Sequence, residues 1–424
     1  MRDELQNYLE LAVDYGNCGL WDEAIDVLSR MASSTEKKPS TFPLIYYYLG
    51  YFWEKKAESE KASKYAELAN SMPPDYCFPF RLESIAVLRW AESVNPKDAR
   101  APYYLGNLLF DLQPEKAIEE WEKSKKLDGS FSIVHRNLGL AYARVKNDVS
   151  KAVTCLEKAL ACNKNDPKLY FELDQLYEAN GTSPQLRLRL LEKNHKIVEQ
   201  RDDALSREIE LLVQAGRFDR ALELLSTHHF HVWEGGGEIH NVYVDAHLFR
   251  GQDFFRTKKY RQALKDFEAA LEYPENLEVG KPYVGGRFEE IFYFVGTAYE
   301  ALGNGDKAKS FYENALASKS GWSDLSYYQG LALRKLSREQ EAINVFDGLV
   351  QFAKSQIEAS PSMDFFAKFG EKQSVKIQQA RAHYLLGVGY LGLGKRTEAK
   401  TEFQIAIELN INHTKAQRQL AAIR

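Results

Sequence analysis

The chain has 424 residues, of which 44% are apolar and 27% are charged, and its formal net charge is −4. This balance is typical of a folded protein, and the lack of a basic excess argues against a nucleic-acid partner. No stretch approaches the roughly 18 to 20 apolar residues that a membrane helix needs, so no membrane partner is expected.

The cysteines and the first residues favour a cytoplasmic location. Cys18, Cys77, Cys155 and Cys162 are scattered, and none of them form a CxxC pair. A disulfide framework is therefore not expected, and a reducing compartment fits best. Residues 1–4 run directly into an amphipathic helix with acidic side chains, which is not typical of a signal peptide.

A pattern of small and aromatic residues recurs along the chain. The segment that begins at Pro43 shows it most clearly, with a large residue, a Leu-Gly pair and an aromatic residue before three spaced alanines and a proline. These residues are Tyr46, Leu49, Gly50, Trp53, Ala62, Ala66, Ala69 and Pro74. Small residues let two helices approach closely, and aromatic rings fill the space that remains. The pattern predicts an antiparallel helix pair.

In chain order, further pairs are predicted both before and after this segment. Clear pairs are centred on Gly106, Gly139, Gly251, Gly296, Gly330 and Gly387, and degenerate pairs cover residues 5–33, 167–197 and 202–227. The interval from Gly50 to Gly106 is one helix too long, so an extra helix is expected near residues 81–94. A terminal helix is expected at 414–424. One pair cannot bury its apolar face alone, so about ten to eleven units must stack into an all-α solenoid.

The spacing of these residues resembles the tetratricopeptide repeat (TPR), a helix pair of about 34 residues. Four strings are also similar to the repeat region of a group of large, uncharacterised bacterial proteins. These strings are residues 101–109, 135–139, 231–236 and 273–277. In that group a β-rich domain of unknown function precedes the array, and a link to carbohydrate metabolism is suspected. The resemblance implies that this chain could be the C-terminal part of a longer protein.

Three insertions interrupt the repeats, at residues 227–240, 272–288 and 352–378. Each follows the second helix of a pair, so in a regular solenoid all three would emerge along one edge. On this basis we divide the array into residues 1–226 and 227–424.

The first insertion is rich in histidine. Five of the nine histidines of the chain fall near it: His228, His229, His231, His240 and His247. Imidazoles beside carboxylates can ligate zinc or another transition metal. The spacing fits no familiar metal motif, however, and His247 occupies the position of a packed large residue in the next repeat. We therefore predict no metal and no cofactor.

The first two insertions also have features of a ligand loop. Trp233 beside a run of three glycines offers an aromatic platform, and aromatic faces with nearby carboxylates suit sugar or peptide recognition. The alternative is that Trp233 only fills the joint between two helix pairs. The candidate binding residues here are Trp233, Glu234, His240, Tyr273, Glu275, Tyr283 and Arg287.

A catalytic alternative rests on the same insertions. Glu234, Glu238 and Glu275 could supply the carboxylate pair of a glycosidase if two of them face each other at roughly 5 to 9 Å. The sequence contains no phosphate-binding loop, no GxSxG and no HExxH string, and these are the motifs that mark other common active sites.

The inner face of the array supplies further candidates, namely Tyr103, Asn107, Arg136 and Asn137. Asn107, Asn137 and Lys168 resemble part of the carboxylate clamp by which some chaperone-binding TPR domains hold an acidic peptide tail. Tyr103 replaces the first clamp lysine, and Glu172 stands where an arginine belongs and would repel a carboxylate. A true clamp is therefore not predicted.

Taken together, the residues predict a non-catalytic scaffold. Its concave groove and edge insertions would hold a protein segment or a glycan-bearing partner. The alternative is a glycosidase-related or metal-dependent enzyme, or the accessory half of one, with its site at residues 227–288.

Overall fold

The computed structural model describes residues 5–32, 42–231, 238–282, 286–317, 321–359 and 375–423. Within these ranges the regular elements are all helices, and no β-strand occurs. The predicted all-α fold is confirmed. The chain divides into two compact units, residues 1–176 (unit 1) and 177–424 (unit 2). The predicted division at residue 226 falls at the first insertion, and it stays a prediction.

Unit 1 contains four helix pairs and one additional helix. Its helices are α1 (Leu5–Asn17), α2 (Trp21–Ala32), α3 (Pro43–Lys55), α4 (Ser59–Ser71), α5 (Glu83–Val94), α6 (Arg100–Leu109), α7 (Pro114–Leu127), α8 (Ser132–Val145) and α9 (Val149–Cys162); α10 (Pro167–Ala179) contains the boundary. The pairs are α1–α2, α3–α4, α6–α7 and α8–α9. Helix α5 is the predicted extra helix, and it packs on α3 and α6.

Unit 2 continues the pattern with five further pairs. Its helices are α11 (Pro184–Lys193), α12 (His195–Val198), α13 (Asp202–Gln214), α14 (Phe218–Thr227), α15 (Glu238–Arg256), α16 (Tyr260–Ala269), α17 (Phe288–Ala301), α18 (Gly305–Asn314), α19 (Asp324–Lys335), α20 (Glu339–Glu358), α21 (Val375–Gly392), α22 (Arg396–Leu409) and α23 (Thr414–Ile423). The pairs run from α13–α14 to α21–α22, and the predicted terminal helix α23 packs on α22. The first helices of successive pairs also contact each other, so α13, α15, α17, α19 and α21 form one face of the unit.

The repeated glycines lie where an aromatic ring of the second helix crosses the first helix. A methyl group added at Gly296 would lie 2.6 Å from Cε1 of Tyr312, and one added at Gly387 would lie 2.5 Å from Cε1 of Phe403. The same close approach joins Gly251 to Phe267 and Gly330 to Phe346. Protein interiors pack this closely only where one partner has no side chain. The small-and-aromatic pattern is thus the packing contact of these four pairs.

The insertions are partly helical. Residues 352–358 continue α20, and residues 375–378 begin α21. A short 3₁₀ turn, Glu275–Leu277, lies in the second insertion. None of the helices in the described ranges is long and apolar enough to cross a membrane.

Candidate functional site

A cavity of about 630 Å³ lies in unit 2 against the face that the first helices form. Its walls come from α15, α16, α17, α19 and α21, and α23 closes one side. Aromatic rings predominate in the lining, because each first helix contributes one or two: Phe249, Phe255, Tyr293, Phe294, Tyr327, Tyr328 and Tyr384. Concave, mostly apolar cavities of this kind are the usual form of a ligand site.

Helix α23 is held against this face by ion pairs with three first helices. Lys415 Nζ lies 2.7 Å from Asp324 Oδ2 and 3.4 Å from Glu290 Oε2. Arg418 Nη2 lies 2.8 Å from Asp253 Oδ1, and it also donates to the Phe249 carbonyl oxygen at 3.2 Å. The terminal helix therefore contacts α15, α17 and α19 in addition to its neighbour α22.

Arg287, a predicted binding residue, is part of the same buried charge network. Its Nη2 lies 2.7 Å from Asp245 Oδ1, and its Nε donates to Glu290 Oε2 at 2.9 Å. Although burial alone would raise the pKa of Glu290, the charges of Arg287 and Lys415 hold it below its usual value. Arg287 thus neutralises buried carboxylates, and its role in binding stays a prediction.

His413 precedes α23, and its ring packs against that of Tyr384 at a tilt of 44°, with 4.7 Å between the ring centroids. Its Nδ1 accepts a hydrogen bond from the backbone N–H of Ala416, which caps the first turn of the helix. Burial lowers the pKa of His413 to about 4. The neutral imidazole is therefore the form that the folded chain requires.

We expect acid to destabilise unit 2 through His413. Between about pH 6.5, where an unfolded histidine titrates, and about pH 4, the unfolded chain binds a proton that the folded chain does not. The free energy of unfolding should therefore fall as the pH is lowered through this window, by up to about 3 kcal/mol.

Urea unfolding at a series of pH values measures this loss. His413→Asn keeps a capping side chain without a titrating group, so it should remove the contribution of His413 to the pH dependence between about pH 4 and 6.5. A further part should remain, because burial also lowers the pKa of His240. The exposed His229 provides the control. In His229→Asn the free energy of unfolding should vary with pH as it does in the wild type. If the free energy of unfolding changed with pH equally in His413→Asn and in the wild type, His413 would not be a source of the pH dependence.

The structure brings the described parts of the first two insertions together. His240 is buried, and its ring stacks on Tyr273 with 3.8 Å between centroids. The Asn276 side chain donates to the carbonyl oxygens of Leu225 and His228, both at 2.7 Å. Glu275 is exposed in the 3₁₀ turn. Trp233, Glu234 and Tyr283 lie outside the described residues, so the insertions stay a predicted binding area.

The five clustered histidines contact different parts of the structure, and His240 Nε2 lies 2.9 Å from the Glu272 carbonyl oxygen. His228 and His231 both contact Asp202, while His229 contacts Glu278. His247, predicted to pack within its helix, pairs with Asp266 at 3.0 Å. Across the described ranges no group of three or more histidine, cysteine or carboxylate side chains is arranged so that it could hold a metal ion.

The inner-face candidates of unit 1 contact one another. Asn107 Oδ1 accepts hydrogen bonds from Trp121 Nε1 at 3.1 Å and from Asn137 Nδ2 at 3.0 Å. Arg136 Nε donates to Glu172 Oε2 at 2.6 Å, so the carboxylate that interrupts the clamp pattern is neutralised by its neighbour. Tyr103 is only 1% exposed. These contacts stabilise the repeats, and binding by these residues stays a prediction.

Sequence reasoning missed an exposed apolar stripe between α4 and α5. Tyr76 is 89% exposed, and the other members are Phe78, Phe80 and Leu82, at 65%, 57% and 70%. The intervening Cys77 and Pro79 are buried. The sequence does contain a pattern that could have indicated this stripe, namely a large apolar residue at every second position of a proline-containing segment. In an extended segment, alternate side chains point to the same side. We call Tyr76, Phe78, Phe80 and Leu82 the apolar stripe.

Comparisons with known proteins agree with the helix pairs. Residues 289–320, which include α17 and α18, match the Tetratricopeptide repeat family. The solved structure of YrrB, described as a TPR protein with an unusual peptide-binding site, is 20% identical over 59% of this chain and 97% of its own, with a TM-score of 0.30. A thermophilic TPR protein of Thermus thermophilus is 18% identical over 49% of this chain and 98% of its own, with a TM-score of 0.27. The described chain is an all-α array of helix pairs, and the pair α17–α18 matches the tetratricopeptide repeat.

Proposed function

We propose that this chain is a non-catalytic scaffold that binds a protein segment on the apolar stripe of unit 1. The observation that carries the proposal is the exposure of four large apolar side chains in one segment of seven residues, 76–82. Folded proteins rarely leave a contiguous patch of this kind in water unless a partner covers it. Burying such side chains on association would supply a large apolar contribution to binding.

The stripe is held on a fixed backbone. Cys77, between Tyr76 and Phe78, is fully buried. Burial raises the pKa of this thiol to about 12, so it remains neutral and serves as an anchor rather than a nucleophile. A pre-organised surface loses less conformational entropy on binding than a free loop does.

Tyr76 supports the same interpretation. Its backbone has a φ of +57°, in the left-handed region that large side chains rarely adopt. This conformation costs about 1 kcal/mol or more. The Tyr76 ring that it positions is almost fully exposed. Strain of this kind is common at surfaces that contact a partner.

Selection of peptides from a random display library tests the proposal. Peptides that bind the wild-type chain are expected to lose at least about tenfold in affinity for the Phe78→Ser, Phe80→Ser double variant, since two apolar contacts are removed. Leu112→Ser is the matched control, because Leu112 is 84% exposed in the same unit but lies outside the stripe.

The outcomes separate the possible sites. Equal binding to the double variant would exclude the stripe, and failure to select any peptide would contradict the scaffold. Loss of binding in the Trp233→Ala, Tyr283→Ala double variant instead would move the site to the edge insertions.

A further inference from the structure

The cavity of unit 2 contains tyrosine hydroxyl groups without partners. Tyr327 and Tyr384 are only 7% and 4% exposed, and both line the cavity together with the half-buried Tyr293. None of the three hydroxyls forms a hydrogen bond with any residue in the described ranges. A hydroxyl group that has no protein partner can donate to water or to a ligand in the cavity.

Two tyrosines of unit 2 that lie outside the cavity have hydrogen-bond partners. Tyr312 donates to Glu300 Oε2 at 2.6 Å, and Tyr243 donates to the Ala269 carbonyl oxygen at 3.0 Å. Burial raises the pKa of Tyr293 to about 12, so its hydroxyl stays protonated and available as a donor at neutral pH.

The charged side chains of the lining are already neutralised. Lys335 Nζ lies 2.7 Å from Glu300 Oε2, and Glu290 and Lys415 belong to the network with Arg287 and Asp324. A charged ligand would lose its hydration and find no free counter-ion here. The remaining lining is aromatic and aliphatic apart from the uncharged polar side chains of Gln252, Thr297 and Gln419.

We propose that this cavity is a binding site for an uncharged aromatic small molecule that carries a carbonyl group. The aromatic walls would contact its ring by stacking and edge contacts, and the free hydroxyls of Tyr327 and Tyr384 would donate to its carbonyl oxygen. The volume of about 630 Å³ is within the range of roughly 300 to 1,000 Å³ that small-molecule sites have. This site is independent of the apolar stripe, which lies in the other unit.

Fluorescence titration with Prodan, an uncharged naphthalene ketone whose emission depends on polarity and hydrogen bonding, tests the site on the full chain. Saturable binding with a blue-shifted emission is expected. Leu331→Trp fills the cavity and should lower the affinity at least about tenfold. Ala301→Trp provides a second filling variant at an exposed lining position, in case the first disturbs folding.

Removal of the hydroxyls tests the hydrogen bonds separately. The Tyr327→Phe, Tyr384→Phe double variant should lower Prodan affinity about tenfold and leave the affinity for the hydrocarbon ethylnaphthalene unchanged, because only the ketone accepts a hydrogen bond. Tyr299→Phe is the control, since the Tyr299 hydroxyl donates to Glu268 outside the cavity. Thermal melting by circular dichroism checks that each variant is folded.

Three results would overturn the proposal. Prodan fluorescence that does not saturate would exclude a defined site. Unchanged affinity in both filling variants would place the probe elsewhere. If the Tyr327→Phe, Tyr384→Phe variant lost affinity equally for Prodan and for ethylnaphthalene, the cause would be altered packing and not the loss of hydrogen bonds.

Discussion

Arg287→Met is expected to lower the free energy of unfolding by about 3 to 5 kcal/mol, because it removes one partner of a buried ion pair. Glu290 is 1% exposed on its side chain, and Arg287 is its nearest cation, at 2.7 Å. After the substitution Glu290 would retain only Lys415, at 3.4 Å, and Asp245 would lose the guanidinium beside it. An uncompensated buried carboxylate is costly whether it stays ionised or takes up a proton.

Urea unfolding followed by circular dichroism measures this loss, and hydrogen exchange can locate it in unit 2. Arg338→Met is the matched control, because Arg338 and Glu341 have the same three-residue spacing, with 2.7 Å between Nε and Oε1, but lie in solvent. Exposed pairs of this kind contribute little to stability. If the two variants shifted the midpoint equally, burial of the Arg287 pair would not matter to stability.

Gly296→Leu is expected to destabilise the chain by about 3 kcal/mol through overpacking. The first atom of a side chain at this position would already lie 2.6 Å from Cε1 and 2.8 Å from Cδ1 of Tyr312. The ring cannot move aside freely, because Tyr312 is buried and its hydroxyl is bonded to Glu300. The α17–α18 pair would therefore have to separate.

Thermal melting provides the measurement, with Gly305→Leu as the control in the same pair. Gly305 begins α18, and an added Cβ there meets no atom within 4 Å. The control should melt close to wild type, whereas Gly296→Leu should melt clearly lower. Equal midpoints would contradict the assignment of Gly296 to the helix contact.

The helix pairs could be predicted because their determinants are close together in sequence. Gly296 and Tyr312, like Gly387 and Phe403, are 16 positions apart and meet within one pair. The extra helix near residues 81–94 was predictable for the same reason, since it lengthens the interval between two repeat glycines. In the structure Trp90 of that helix covers Gly50, at 2.5 Å from the position of an added methyl group.

The candidate sites were less accessible to sequence reasoning. Asn107 and Arg136 have the residue types of a ligand contact, yet the structure shows their polar atoms engaged within the repeats. The apolar stripe consists of ordinary hydrophobic residues, whose exposure depends on which side chains the neighbouring helices cover. Residue type alone does not distinguish a buried phenylalanine from an exposed one.

By itself, the sequence determined the helical class, the pairing of the helices and the position of the terminal helix, since a pattern of about 34 residues encodes local packing. Only the tertiary structure decided which polar and aromatic groups remain available to a ligand. Lys415 meets Glu290 across 125 positions, and Arg418 meets Asp253 across 165. Such pairings follow from how successive helix pairs stack, and that stacking brings the unpartnered tyrosine hydroxyls to one cavity beside α23.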